Sequence, residues 1–227
     1  YFPDAKRICC IRDPRASIKS FVINCKNNSA YNYNYFSFYD ALMVIRKICT
    51  ISKKYKNSKD LTSCLFVRLE DLPREDILKS IQEYLEINPS EKIFVSTWAG
   101  LEWRGDRISG KEFDPYEKWS KNRSYNNWQN ELSFSDKLIL NNSFKEFIKQ
   151  HNYHSQSQQL LRKIIYKIVA FVFLIKPLTI EYEFFSIKYI MTKIKQKNNR
   201  DLLLILSTPY FYFLSRVLLF KSFLMKF

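Results

Sequence analysis

The sequence predicts an α/β fold, a parallel sheet flanked by helices, followed by a helical C-terminal extension. Three observations lead there. Two short apolar runs, Ile8-Cys9-Cys10-Ile11 and Cys64-Leu65-Phe66-Val67, read as buried strands. Each is followed by a charged break and then by apolar residues at helical spacing. The last third of the chain is basic and repeats its apolar residues on a helical period. A chain of 227 residues suits one domain with an appendage.

In chain order, the first strand ends at Arg12-Asp13-Pro14-Arg15. Pro14 disfavours helical geometry at Asp13 and is itself suited to the first turn of a helix. Ile18, Phe21 and Val22 then have helical spacing over residues 16–24. Residues 26–34 are polar and read as a loop. Residues 38–55 read as a helix with Ala41, Leu42, Ile45, Ile48, Cys49 and Ser52 on one face, and 56–59 as a turn. After the second strand, Glu70-Asp71-Leu72-Pro73 leads into a helix over 74–85, with Ile77, Leu78, Ile81 and Leu85 on one face.

Residues 97–128 are expected to be mostly irregular. They hold all three glycines, at 100, 105 and 110, together with Trp98, Trp103, Arg104, Asp106 and Arg107. Long irregular segments in compact domains are often functional. Another helix starts at Ser133, capped by Ser133 or Ser135, with Leu138, Ile139, Phe144, Phe147 and Ile148 as its apolar face.

Hydrophobic residues at 46% and aromatics at 17% exclude a disordered chain. A formal net charge of +15 favours an anionic partner: nucleotide phosphates, nucleic acid or an acidic membrane. The five cysteines form no CxxC pair and no metal-ligand spacing with His, so no metal is expected. Cys9 and Cys10 read as small buried hydrophobes, and free thiols fit a reducing, cytoplasmic location. No leader is visible, and an apolar strand this close to Tyr1 leads us to expect sequence upstream of it.

The chemistry gathers at the first strand–loop–helix unit. Ligands of open α/β sheets bind at the carboxyl ends of strands, and a helix start presents free N–H groups and a positive dipole end. Arg12 and Arg15 add fixed charge and forked donors, and Ser20 adds a hydroxyl a turn or more into the helix. That describes a phosphate or sulfate site. The same residues equally suit a structural role in which Arg12 and Asp13 pair with each other or with neighbours at a strand end.

Residues 6–20, KRICCIRDPRASIKS, resemble the 3′-phosphate-binding segment of the PAPS-dependent sulfotransferases, where an apolar strand runs into Arg-Asp-Pro-Arg with a Ser eight residues after the first Arg. Arg12 and Ser20 have that spacing. Residues 66–87, FVRLEDLPREDILKSIQEYLEI, resemble a second, mainly structural block of the family, with Leu69 in place of the usual Tyr. Trp103-Arg104-Gly105 and Trp128-Gln129-Asn130-Glu131-Leu132-Ser133 are similar in outline to a third. For Trp103 and Trp128, core packing is an equal alternative.

The resemblance covers residues 5–153. It implies a P-loop-NTPase-like sulfotransferase fold, incomplete at its N-terminus, with Arg12, Ser20, Arg104 and Gly105 binding the nucleotide. It further implies PAPS as sulfuryl donor, adenosine 3′,5′-bisphosphate as product, no metal, and a hydroxyl- or amine-bearing acceptor. The family's 5′-phosphosulfate loop and catalytic base precede the Arg-Asp-Pro-Arg block, so both are expected upstream of Tyr1 and no catalytic residue is assigned. His151 and His154 are expected at the surface.

Residues 160–227 hold twelve Lys or Arg against three Asp or Glu. The change in character puts a boundary near residue 155, giving a sulfotransferase domain over 1–155 and a basic, apolar helical extension over 156–227. Asp201 and Arg216 bound fourteen uncharged residues interrupted by Pro209, short of the ~20 that a spanning helix needs. The expectation is amphipathic helices on an acidic membrane surface at its cytoplasmic side. The alternatives are a helical subdomain packed on the core and a membrane span. An acceptor on a glycan or a lipid would suit such a location. The second functional reading is a non-catalytic, membrane-peripheral binding protein derived from the same fold. Nucleic acid is disfavoured, because the basic residues cluster with apolar runs rather than with stacking aromatics on a polar face.

Overall fold

The structure, a computed structural model, describes residues 5–27, 35–57, 64–72, 74–94, 97–98, 101–102, 128–153, 168–195 and 199–224. These form two compact units: residues 1–12 with 53–126, and residues 13–52 with 127–227. The units thus divide at 12, 52 and 126, whereas composition changes near 155. Each unit is described by itself.

In the first unit, β1 (Arg7–Ile11) and β2 (Cys64–Arg68) pair in parallel, Ile8 opposite Leu65 and Cys10 opposite Val67. A 3-10 turn (Leu69–Asp71) then leads towards helix α3 (Glu75–Leu85). Leu78 and Ile81, one turn apart, bury against Val67 of β2. Asp71 accepts from the Arg68 guanidinium at 2.9 Å and lies 3.9 Å from Arg74, so Asp71 braces the turn into α3. Glu86 ends α3 in the left-handed region (φ 57°) and pairs with Lys6 at 2.6 Å. The Tyr84 hydroxyl meets the backbone N–H and C=O of Arg7, each at 3.2 Å, tying the helix end to the start of β1.

Beyond α3 lies a short antiparallel pair, β3 (Thr97–Trp98) with β4 (Leu101–Glu102). The expectation of a buried first strand needs correction. Ile11 is buried, but Ile8 is 41% exposed, Cys10 is exposed and Cys9 is half-buried. Parallel strands are buried when helices cover both faces. The α3 contacts fall on β2 and leave much of β1 open.

The second unit is helical. Helix α1 (Pro14–Asn27) buries Ala16, Ile18 and Val22. It runs to Asn27, so the loop expected from 26 begins later, and residues 28–34 lie outside the described residues. Helix α2 (Tyr35–Asn57) buries Tyr35, Phe38 and Leu42 at helical spacing, whereas Ile48, expected on that face, is exposed. Short helix α4 (Trp128–Glu131) precedes α5 (Phe134–Ser143). Ser133 caps α5, its hydroxyl accepting the Asp136 N–H at 3.2 Å, as expected of this residue type.

The single helix expected here is two. Phe144, at φ −110° and ψ 17°, breaks it before α6 (Lys145–Gln150). His151 is not at the surface. It is buried, its Nε2 lies 2.5 Å from the buried Ser52 hydroxyl of α2, and its ring packs on Phe147. His154 lies outside the described residues.

Helical residues 168–174 form α7, followed by a 3-10 helix (Thr179–Phe185), α8 (Ile187–Lys195) and α9 (Asn199–Leu224). These elements pack on the rest of the unit. Leu138 of α5 buries against Ala170 of α7 and Phe223 of α9, and the buried Asp136 accepts the Thr179 N–H at 2.9 Å. Helix α9 is continuous through Pro209 over 26 residues, about 39 Å at ~1.5 Å per residue. Its segment Leu202–Phe223 is long and apolar enough to cross a membrane.

Arg216, inside that segment, is neutralised by the buried Glu181, whose carboxylate also accepts from the Tyr35 hydroxyl and the Leu178 N–H. Tyr35 in turn lies 2.9 Å from the Ser215 hydroxyl. Burial pushes the Glu181 carboxyl up, while Arg216 and Tyr35 act against that shift. The geometry is that of the charged pair, since three donors converge on the carboxylate.

Two outcomes follow in urea denaturation of the full chain. Ser133→Ala costs about 1 kcal/mol by uncapping α5. Glu181→Leu or Arg216→Met alone costs about 3–5 kcal/mol, each leaving a buried charge unpaired, and the double substitution costs clearly less than the sum.

Candidate anion-binding site

The strand–loop–helix unit singled out in the sequence begins with a well-determined helix start. Asp13 is the cap of α1: its carboxylate accepts the Arg15 N–H at 2.9 Å and its carbonyl accepts the Ser17 N–H at 2.9 Å. Pro14 in the first helical position costs nothing, because its missing N–H would have no partner inside the helix. The Asp13 carboxylate therefore holds the place that an anion would otherwise take at this dipole end.

Arg15 neutralises that carboxylate. Its Nε donates to both carboxylate oxygens, at 2.8 and 3.1 Å, and its Nη2 lies 2.5 Å from Oδ2. Nη1 donates to the Asn141 side chain of α5 at 2.7 Å. The Trp128 ring of α4 covers the guanidinium, 4.1 Å from its carbon. Arg15 and Asp13 have 2% and 6% of their side chains exposed, so Arg15 is a structural cation and not a free ligand. This corrects the reading in which Arg12 and Arg15 both offer charge to a phosphate. Of the pairings expected at the strand end, the structure shows that of Asp13 with its neighbour Arg15.

Arg12 is the last residue of the first unit and follows β1 directly. It is half-buried. Its Nε is buried and has no hydrogen-bond partner among the described residues. Ser20 belongs to the second unit, in the second turn of α1, and is also half-buried. Lys19 beside it is engaged with Glu131 of α4 at 2.5 Å. Arg104 and Gly105, with Trp103, lie outside the described residues. Trp128, for which core packing was an equal alternative, is buried and does pack, with a specific polar partner.

Neither Asn141 nor the Arg15–Trp128 stack has a direct sign in the sequence, because residues more than a hundred positions apart meet only through α1, α4 and α5. Among the described residues no cluster of His, Cys, Asp and Glu could hold a metal ion. In comparisons with known proteins, no family model matches the chain, and neither does any curated protein or solved structure.

The unequal situations of the two arginines are testable by equilibrium unfolding without ligand. Arg15→Met should cost about 3–5 kcal/mol, because it strands the buried Asp13 carboxylate. Arg12→Ala should stay within about 1 kcal/mol of the parent, because it breaks no ion pair among the described residues.

Proposed function

We propose that this chain anchors the 3′-phosphate of PAPS through Arg12 and Ser20, as the nucleotide-holding part of a sulfotransferase. One observation carries the reading. Of the two arginines in the Arg-Asp-Pro-Arg turn, Arg15 is consumed by Asp13, Asn141 and Trp128, whereas the buried Nε of Arg12 is left without a partner among the described residues. A buried guanidinium N–H left unpaired is costly, and a phosphate oxygen is its natural acceptor. The Arg15–Trp128 stack also supports the reading, because it joins two of the three stretches that resemble the family.

In the reaction so proposed, the bond between sulfur and the bridging oxygen of the 5′-phosphosulfate breaks as a new bond forms from sulfur to an acceptor oxygen or nitrogen. The acceptor gives up its proton to a base, and the nucleotide leaves as adenosine 3′,5′-bisphosphate. Arg12 and Ser20 act at the far end of the nucleotide. They position it and take no part in the proton transfer. Because Asp13 already caps α1, the phosphate depends on the Arg12 guanidinium and the Ser20 hydroxyl more than on the helix start.

Isothermal titration of the full chain with adenosine 3′,5′-bisphosphate tests this. Binding should be abolished by Arg12→Ala and weakened about tenfold or more by Ser20→Ala, the loss expected for a hydrogen bond to a charged group. Adenosine 5′-monophosphate, which lacks the 3′-phosphate, should bind the parent as weakly as the bisphosphate binds Arg12→Ala. Equal affinity for the two nucleotides would overturn the assignment. Binding of the bisphosphate without sulfuryl transfer from PAPS to any acceptor would favour the non-catalytic reading.

A further inference from the structure

The surface of α7, α8 and α9 presents an unusual combination. On α9, Leu203, Leu206, Tyr210, Phe213, Val217 and Phe220 are all exposed, Leu206 by 69%. Their spacing alternates three and four residues, which places them along one side of the helix. The stripe runs for about 26 Å at ~1.5 Å per residue. It continues onto α7 where Phe171 meets Phe220, ring centroids 5.9 Å apart, and Ile175, just after α7, is 77% exposed. Helix α8, which packs on α9, exposes Ile187, Met191 and Ile194, again one helical side. Exposed lysines accompany these residues: Lys176 after α7, Lys188 and Lys195 on α8, and Lys221 on α9.

A contiguous apolar surface of this kind marks an interaction site. The geometry points to an acidic lipid bilayer as its occupant, with α9 lying in the plane of the membrane interface. Two arguments select it. First, exposed lysines flank the stripe residues, Lys188 next to Ile187, Lys195 next to Ile194 and Lys221 next to Phe220, and residues 160–227 hold twelve Lys or Arg against three Asp or Glu. Pairing this face with a second copy of itself would set like charges together, whereas anionic headgroups complement them. Tyr210 and Phe213, amid the leucines, suit the boundary between headgroups and acyl chains.

Second, the opposite side of α9 is occupied. Phe223 packs with Leu138 of α5, Leu218 and Leu219 are buried, and Arg216 is held by Glu181. Helix α9 is long enough to span, but a span would take its packing partner α5 into hydrocarbon, with Lys137, Asn141 and Asn142. A helix laid on the interface keeps that packing and covers the stripe. This inference does not depend on Arg12 or on any nucleotide.

Co-sedimentation of the full chain with vesicles tests it, in the absence of nucleotide. The chain should pellet with phosphatidylserine-rich vesicles, less with pure phosphatidylcholine, and less again as salt rises. Leu206→Glu with Phe213→Glu should weaken binding about tenfold or more while circular dichroism stays unchanged. Should that variant fail to fold, Leu203→Ser with Leu206→Ser should weaken binding in the same direction. Lys188→Glu with Lys195→Glu should remove the preference for acidic lipid. Alkaline carbonate should release the bound chain.

Three results would overturn the inference. One is vesicle binding unchanged by the stripe substitutions. Another is resistance to carbonate, which marks a span. The third is a vesicle-free dimer that the stripe substitutions convert to monomer, with no lipid binding by the parent.

Discussion

A carboxylate placed at a helix start, and the buried guanidinium that neutralises it, set the geometry on which the candidate site depends. Asp13 serves two purposes at once. Its carboxylate satisfies the Arg15 N–H that the helix leaves unpaired, and it fixes Arg15 through bonds to both oxygens. Arg15 then reaches Asn141 and lies under Trp128, which commits α1 to α4 and α5. A pair this deeply buried is held by its hydrogen bonds. Had the Asp13 carboxylate been left alone there, it would have been costly to bury. With Arg15 committed, Arg12 is the arginine of the turn whose buried Nε has no hydrogen-bond partner among the described residues.

A second buried pair has a comparable role among the C-terminal helices. Glu181 gathers Arg216 of α9, the Tyr35 hydroxyl of α2 and the Leu178 N–H, so one carboxylate ties the C-terminal helices to an element near the start of the second unit. Arg216 also stacks over the Tyr212 ring, 4.7 Å from its carbon. The orientation of α9 is thereby set. The side carrying Arg216 faces inward, and the apolar stripe from Leu203 to Phe220 is left facing outward. The outward stripe and the inward charge have one cause, because a helix that is apolar nearly all round must still turn the buried Arg216 towards an acid.

Local patterns in the sequence made much of this legible. The apolar runs at 8–11 and 64–67, the helical period of residues 38–55 and the Ser133 cap all depend on neighbours a few positions away, and the observed elements fall there. The break at Phe144 was hidden because both halves keep one helical period of apolar residues. His151 was misplaced because a lone His after a polar turn looks solvated, whereas its partner Ser52 comes from a different helix. Exposure of Ile8 escaped notice for the converse reason, since an apolar run looks buried whatever covers it.

Arg216 did carry a signal. A cation within an apolar helix needs a partner, and only Glu181, Glu183 and Asp201 stand among residues 160–227 as candidates. At the candidate site the roles of Arg12 and Arg15 were not separable from spacing alone, because both are arginines of one turn. Asn141 and Trp128, brought close by packing, distinguish them.

Arg15 is engaged by Asp13 and Asn141, and we propose that Arg12 is the arginine that takes the anion. Nitrogen-15 spectra of the arginine Nε–H groups, with and without adenosine 3′,5′-bisphosphate, test it most directly. The account expects a protected Arg15 Nε–H in the free chain that the nucleotide leaves in place, and an Arg12 Nε–H that becomes protected and shifts only when the nucleotide is added. An Arg12 resonance indifferent to the nucleotide, or an Arg15 resonance that moves in its stead, would contradict it.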